Sequence, residues 1–292
     1  MISELVQYFF GIYRDFLTNT LNAIAVCFIL VFVVLAALTG ARKTVLSRAA
    51  ITNTLSSLAI LMLNIFMSPI VFALSGFAAG LYAKLNIPSV PASFWAAQPW
   101  IVTALAGIIT KDFADYWNHR FMHTKFGWPI HVVHHSDTHV NGFTTFRVHA
   151  LEVILMKISY IGLLTWIGIP ADMIVMAFIF SSLHNAYVHL ELDIDHGPFN
   201  WLLASPNFHR WHHADVPEAY GKNLANMIPF YDWLFGTYYK TTPCHEKMGA
   251  ENDGIPGTDP VKLFVLPFEM WFGQAKQAIS GLLARPKPHE PG

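Results

Sequence analysis

Charge is scarce in this sequence. Only 13% of its 292 residues are Asp, Glu, Lys or Arg, about half the share of an ordinary soluble domain. Combined with 54% hydrophobic residues and a mean hydropathy of +0.40, that shortage points to an integral membrane protein. A cationic excess is missing as well, because 18 Lys and Arg face 19 Asp and Glu, which excludes nucleic acid as a partner. Cysteine is nearly absent: Cys27 lies in an apolar run and Cys244 in a polar tail, so neither a disulfide framework nor a thiolate zinc site is expected. There is no His-Glu-x-x-His, no Glu-x-x-His, no Rossmann glycine fingerprint and no haem attachment sequence. These gaps argue against a zinc protease, a soluble carboxylate-bridged bundle and a built-in electron carrier. Glu4 comes early and no basic region precedes the apolar stretch, so a cleaved signal peptide is not expected.

What is present begins with apolar runs. A spanning helix needs about 20 mostly apolar residues to cross roughly 30 Å of hydrocarbon. Leu21–Leu38 meets this without a charge, and a second run covers Leu55–Ala79. A third, Pro99–Thr110, is short but continues helically into KDFADYWNHRFMH. Ala150–Trp166 and Ala171–Leu183 flank IGIPAD, where Pro170 breaks the helix and makes a hairpin. The first sixteen residues read as an interfacial helix or a simple lead-in, and the Pro-rich end after Arg285 as a disordered tail. Arg42, Lys43 and Arg48 follow the first run whereas only Lys84 follows the second, which puts the first loop, and later the histidines, on the cytoplasmic side. Three regions result: 1–98 with the N-terminal spans, 99–240 as the catalytic domain, and 241–292 as an amphipathic segment with its tail.

Of 15 histidines, 13 fall between His119 and His213. Helical positions three and four apart share a face. His119 and His123 are four apart, His131, His134 and His135 combine both spacings, and His209, His212 and His213 repeat that combination 78 residues later. His184 and His189 are five apart, a weaker match that needs a bend or serves two ions. Burying so many imidazoles together without partners would waste their hydrogen-bonding capacity, so a metal site is expected, and ten imidazoles suffice for two ions. His139, His149, His196, His245 and His289 are read as surface or core residues, with His149 nearest to an exception. Imidazole suits iron, zinc or copper. Iron with dioxygen is the chemistry that a nitrogen-rich pair of ions beside hydrocarbon serves best, because an unactivated C–H bond yields only to a redox metal. A ligated imidazole usually donates its second N–H to a carboxylate or carbonyl. Asp115, Asn185, Asn223 and Asp232, with Asp137 and Asp215, are candidates for that role. Lys157, inside an apolar run, reads either as a lipid head-group contact or as a side chain snorkelling to the interface.

The order NHRFMH, HVVHH, HNAYVH and SPNFHRWHH, followed by YGKNLAN and WLFGTYY, resembles the fatty acid hydroxylase / sterol desaturase superfamily of membrane di-iron oxygenases. The resemblance covers roughly Asp112 to Tyr239. It implies that His119, His123, His131, His134, His135, His209, His212 and His213 ligate two irons, with His189 and His184 as further ligands. His189 precedes the Gly-Pro of HGPFNWLLASP by eight residues, where some members also place a histidine.

The expectation is therefore an all-α integral membrane protein with about four membrane-embedded spans and a cytoplasmic helical cap around a dinuclear metal site. It would hydroxylate or desaturate a lipid entering from the bilayer, using two Fe ions and O2. Zn could replace iron during purification. Electrons would come from a separate ferredoxin or cytochrome b5 type protein. A histidine-rich metal transporter is the alternative from another class, although transport sites sit near the bilayer midplane. A bis-histidine haem protein is a third.

Overall fold

The computed structural model describes Gln7, Gly11 and residues 47–250, 254–255 and 257–283. The expected span at Leu21–Leu38, nearly all of the first sixteen residues and the Pro-rich end lie outside the described residues. Within them every regular element is helical, and the one β pairing is an isolated bridge between Ala214 and Met248.

Helix α1 (Arg48–Lys84, 37 residues) is far longer than the run that announced it. Ser47 starts it, its Oγ accepting from the Ala50 N–H at 3.1 Å, and at about 1.5 Å per residue it reaches about 55 Å. Its first turns bury Asn53, Ser56 and Ser57 among other polar groups, while Phe66 and Phe77 further along stand 74% and 72% exposed. After the short α2 (Ala92–Ala96), α3 (Trp100–Met122) joins the third apolar run to the first histidines without interruption. Its outward side is apolar, with Leu105, Ile109, Phe113, Trp117 and Phe121 exposed, and its inward side carries Lys111, Asp112, Asp115 and Asn118. That reverses the arrangement of a water-soluble helix.

The hairpin forms as the sequence predicts. Helix α5 (Ala150–Ile167) ends at Gly168, whose φ of 70° is left-handed; a Cβ there would collide with the Val90 carbonyl, so only glycine closes this turn. Pro170 caps α6 (Ala171–Val188), which runs five residues past the expected end. By length and composition α1, α5 and α6 could each cross a membrane. Helix α3 packs between α5 and α6, and α1 lies against α5.

Against these long helices sit the short α4 (Trp128–His135), α7 (Pro206–His212) and α8 (Phe230–Phe235), and the closing α9 (Pro260–Leu283). Two apolar clusters fix them. Val132 and Val133 of α4 pack with Ile60 of α1 and Leu263 and Leu266 of α9. Phe208 of α7 packs with Tyr116 of α3, Val188 of α6, and Leu224 and Tyr231. Each such fully buried side chain contributes about 1.5–3 kcal/mol, and together they turn the histidines of α4 and α7 toward one another.

Candidate metal centre

Nine of the ten imidazoles converge, in two groups. His119, His123, His131, His135 and His212 form the first; His134, His189, His209 and His213 form the second. Both three-histidine helices serve both groups. Successive helical positions turn by about 100°, so His131 and His135 stand about 40° apart while His134 lies about 60° to the other side of His131. Helix α4 therefore gives its four-apart pair to the first group and His134 to the second. Helix α7 does the reverse, giving His209 and its C-cap His213 to the second group and His212 to the first.

The second group is tight. Nε2 of His189 lies 3.1 Å from His134 Nε2, 3.0 Å from His209 Nε2 and 3.3 Å from His213 Nε2, and the last two are 3.1 Å apart. An ion bonded at about 2.0–2.1 Å separates neighbouring nitrogens by about 2.9 Å at right angles and about 3.4 Å at the tetrahedral angle. The observed spacings fall in that interval.

Proton bookkeeping leads to the same place. His119 Nδ1 faces the Leu224 carbonyl at 2.6 Å, and His131 Nδ1 faces Glu152 Oε1 at 3.0 Å. Those oxygens accept, so both Nδ1 atoms carry the hydrogen and both Nε2 atoms present lone pairs, yet the two Nε2 atoms are only 2.9 Å apart. The same holds in the second group: His189 Nδ1 donates to the Asn185 carbonyl at 2.6 Å and His134 Nδ1 to the Arg147 carbonyl at 3.3 Å. Two pairs of buried lone pairs thus face each other. In the second pair protonation does not resolve this, because burial and neighbouring imidazoles hold His134 well below the ordinary histidine range. Burial also brings His212 down to about 3 and His189 to about 4. Neutral imidazoles aimed at a common point are what a cation requires. Nε2 of His123, His135 and His212 have no protein partner among the described residues, consistent with the same role.

Residues 104–237 match the family model described as fatty acid hydroxylase. That segment, a little under half of the chain, is a fatty acid hydroxylase domain by this match. The chain is 34% identical to an alkylglycerol monooxygenase of Danio rerio over 128 residues, 44% of this chain and 28% of that protein. It is 30% identical to the human alkylglycerol monooxygenase over 158 residues, 54% of this chain and 33% of that one. An ornithine lipid hydroxylase, OlsE of Rhizobium tropici, is 27% identical over 149 residues, 50% of this chain and 45% of that one. The chain thus spans less than half the length of these relatives. No solved structure matches.

Within this fatty acid hydroxylase domain, His184 belongs to neither group. Five helical positions turn a side chain by about 140°, so His184, buried on α6, cannot follow His189 into the centre. The polar residues expected to touch ligands mostly act one step further out. Asp115 binds Lys111 Nζ at 2.6 Å and accepts from the Tyr160 hydroxyl. Asp232 accepts from the Leu224 and Ala225 N–H groups at 2.6 and 2.7 Å, fixing the carbonyl that receives His119. Asn223 donates to the Phe208 and Lys240 carbonyls. Asn185 touches His189 only through its backbone oxygen. Asp137 accepts from the Thr144 hydroxyl, and Asp215 from the Tyr220 hydroxyl. His149 caps α5 and reaches the Phe264 carbonyl.

Sequence reasoning missed Glu152, whose carboxylate holds the His131 ring, and Asp112, which accepts from the Met227 and Ile228 N–H groups. A signal for Glu152 existed. It is a carboxylate three residues into an apolar run, where a charge is costly and marks function by default. The backbone carbonyls of Leu224, Lys222, Asn185 and Arg147, which fix four of the clustered rings, leave no signal in the sequence. A cavity of about 360 Å³ opens against His119, His131, His134 and His209 and extends between α3, α5 and α6.

Proposed function

We propose that this protein is an integral membrane lipid oxygenase that uses two irons and dioxygen to hydroxylate a C–H bond of a fatty-acyl, alkyl-lipid or sterol-like substrate, with desaturation as the variant outcome of the same site. The observation that carries the reading is the pair of close Nε2 contacts, His119 to His131 at 2.9 Å and His134 to His189 at 3.1 Å, inside two groups of converging imidazoles. Each group calls for one cation. The relatives' names, monooxygenase and lipid hydroxylase, favour oxygenation over metal transport. When bound, iron would supply the oxidising power that an unactivated C–H bond demands.

The chain's own residues do the rest. Backbone carbonyls and Glu152 hold the donor hydrogen of His119, His131, His134, His189 and His212 on the outer ring nitrogen, so the inner nitrogen stays available. The cavity wall of Met122, Val153, Met156 and Phe178 receives the chain of the lipid and keeps water from the reacting carbon. Four membrane-embedded spans, Leu21–Leu38 among them, would leave the histidines in a cytoplasmic layer, where a ferredoxin or cytochrome b5 type donor reaches them. The test is reconstitution in detergent with ferrous iron, followed by metal analysis and incubation of membranes with labelled dioxygen. Two irons per chain and one labelled oxygen atom in a lipid product are expected. Fewer than two metal sites, or lipid unchanged in the presence of a competent donor, would remove the basis for the proposal.

A further inference from the structure

One carboxylate oxygen beside the centre is unclaimed. The cavity runs from the histidines between α3, α5 and α6, and among the described residues that line it two buried side-chain atoms lack a partner, Nδ1 of His209 and Oε2 of Glu152. The first belongs to a clustered ring; the second does not. Glu152 stands in the first turn of α5 and is 4% exposed. Its Oε1 accepts from His131 Nδ1 at 3.0 Å, and nothing donates to Oε2. Other polar groups of the same wall are provided for. Lys111 Nζ bonds Asp115 at 2.6 Å and Ser181 at 2.8 Å, the Tyr160 hydroxyl donates to Asp115, and Asn118 Nδ2 donates to the Ser159 hydroxyl at 2.6 Å.

An ionised carboxyl oxygen is an acceptor only, and burying it without a donor leaves the full cost of its lost hydration uncompensated. With no donor in the wall, the hydrogen has to come from what fills the cavity. Hydrocarbon, an ester and an ether offer none; a hydroxyl or an amine does. An ammonium group would be repelled at close range by the cations that the two imidazole groups call for, whereas a hydroxyl brings no charge. We infer that Glu152 Oε2 accepts a hydrogen bond from a hydroxyl of the lipid substrate and so seats a hydroxyl-bearing end against the histidines, with the hydrocarbon lying along Val153, Met156 and Phe178. This deepens the lipid-oxygenase reading and rests on it. The two oxygens of one carboxylate then do different work: Oε1 orients the His131 ring and Oε2 selects the substrate. Because both belong to one group, the hydroxyl sits about one imidazole's breadth from the inner nitrogens. The C–H bonds presented to the centre are those near the hydroxyl, not those at the methyl end.

The experiment is direct binding to the full chain in detergent at saturating zinc in place of iron, using hexadecanol, its methyl ether and hexadecylammonium as probes. Hexadecanol should bind at least about tenfold more tightly than the ether, the scale of one hydrogen bond to a charged group, and more tightly than the ammonium. Glu152→Gln keeps the size of the side chain and an oxygen for His131 but presents an N–H where Oε2 stood. It should bring alcohol and ether within about twofold of each other without weakening the ether. Equal binding of alcohol and ether by the wild-type chain, the result if water alone serves Oε2, would overturn the assignment. So would tightest binding of the ammonium, an unchanged preference in Glu152→Gln, or an equal loss of alcohol and ether in that variant with zinc content intact. Failure of every probe to bind the wild-type chain would instead overturn the lipid-oxygenase reading beneath it.

Discussion

The two histidine groups are built from the same repeated pattern, yet their outer shells differ. In the first, His119, His131 and His212 direct their outer nitrogens to Leu224, Glu152 and Lys222 oxygens at 2.6–3.0 Å, one of them a carboxylate. In the second, His134 and His189 have carbonyl partners, but Nδ1 of His209 and His213 has none among the described residues. A ring held by a carboxylate is better oriented and more basic than one left to itself. The first group, with five imidazoles, should hold its metal firmly. The second, with four and a looser shell, should exchange metal more readily and leave room for another ligand.

The largest effect that would test this contrast is loss of a ligand. His135→Ala and His213→Ala should each lower lipid oxidation by at least about 100-fold, but the first should empty the five-histidine group and the second the four-histidine group, each leaving about one metal per chain by elemental analysis. Next in size is Glu152→Gln, which removes only a charge beyond the ligands. It should weaken one of two metal affinities by about 10–100-fold in a competition titration and spare the other. A drop in both would show that the carboxylate supports the whole layer.

Chelation should then release metal in two phases, with the fast phase slowed by nothing done at Glu152. Acid offers a further discrimination. His189 and His212, brought to about 4 and about 3 in the fold, stay neutral there while the unfolded chain takes up protons below about 6.5. The metal-free protein should therefore lose thermal stability as pH falls from about 6.5 through about 4, where the His189 contribution ends, and on to about 3, where that of His212 ends; a melting point unchanged across that window would contradict it. The smallest effects are expected at His184 and His245. Alanine at either should leave metal content as it is, at some cost in stability only for the buried His184.

The limits of reading the sequence follow from the same contrast. HVVHH and HRWHH were legible because their spacing acts within one helical turn. The hairpin at Gly168 and Pro170 was legible because backbone chemistry acts over two or three residues. The crosswise sharing of α4 and α7 was not, since it depends on Val132 and Val133 finding α9 and Phe208 finding α3. Asp115 stands four residues before His119 on the same helical face, but that spacing did not reveal that Lys111 and Tyr160 would claim both of its oxygens.

Arg147 adds one last consequence. It is wholly buried, with Nε bonded to the Val133 carbonyl and Ser136, Nη1 to the Asn53 carbonyl, and Nη2 to the carbonyl of Gly257. It clasps α1, α4 and the segment just before α9 in one knot. Shortening the chain to before Gly257 would therefore leave the Arg147 guanidinium short of an acceptor and untie the layer that carries the histidines.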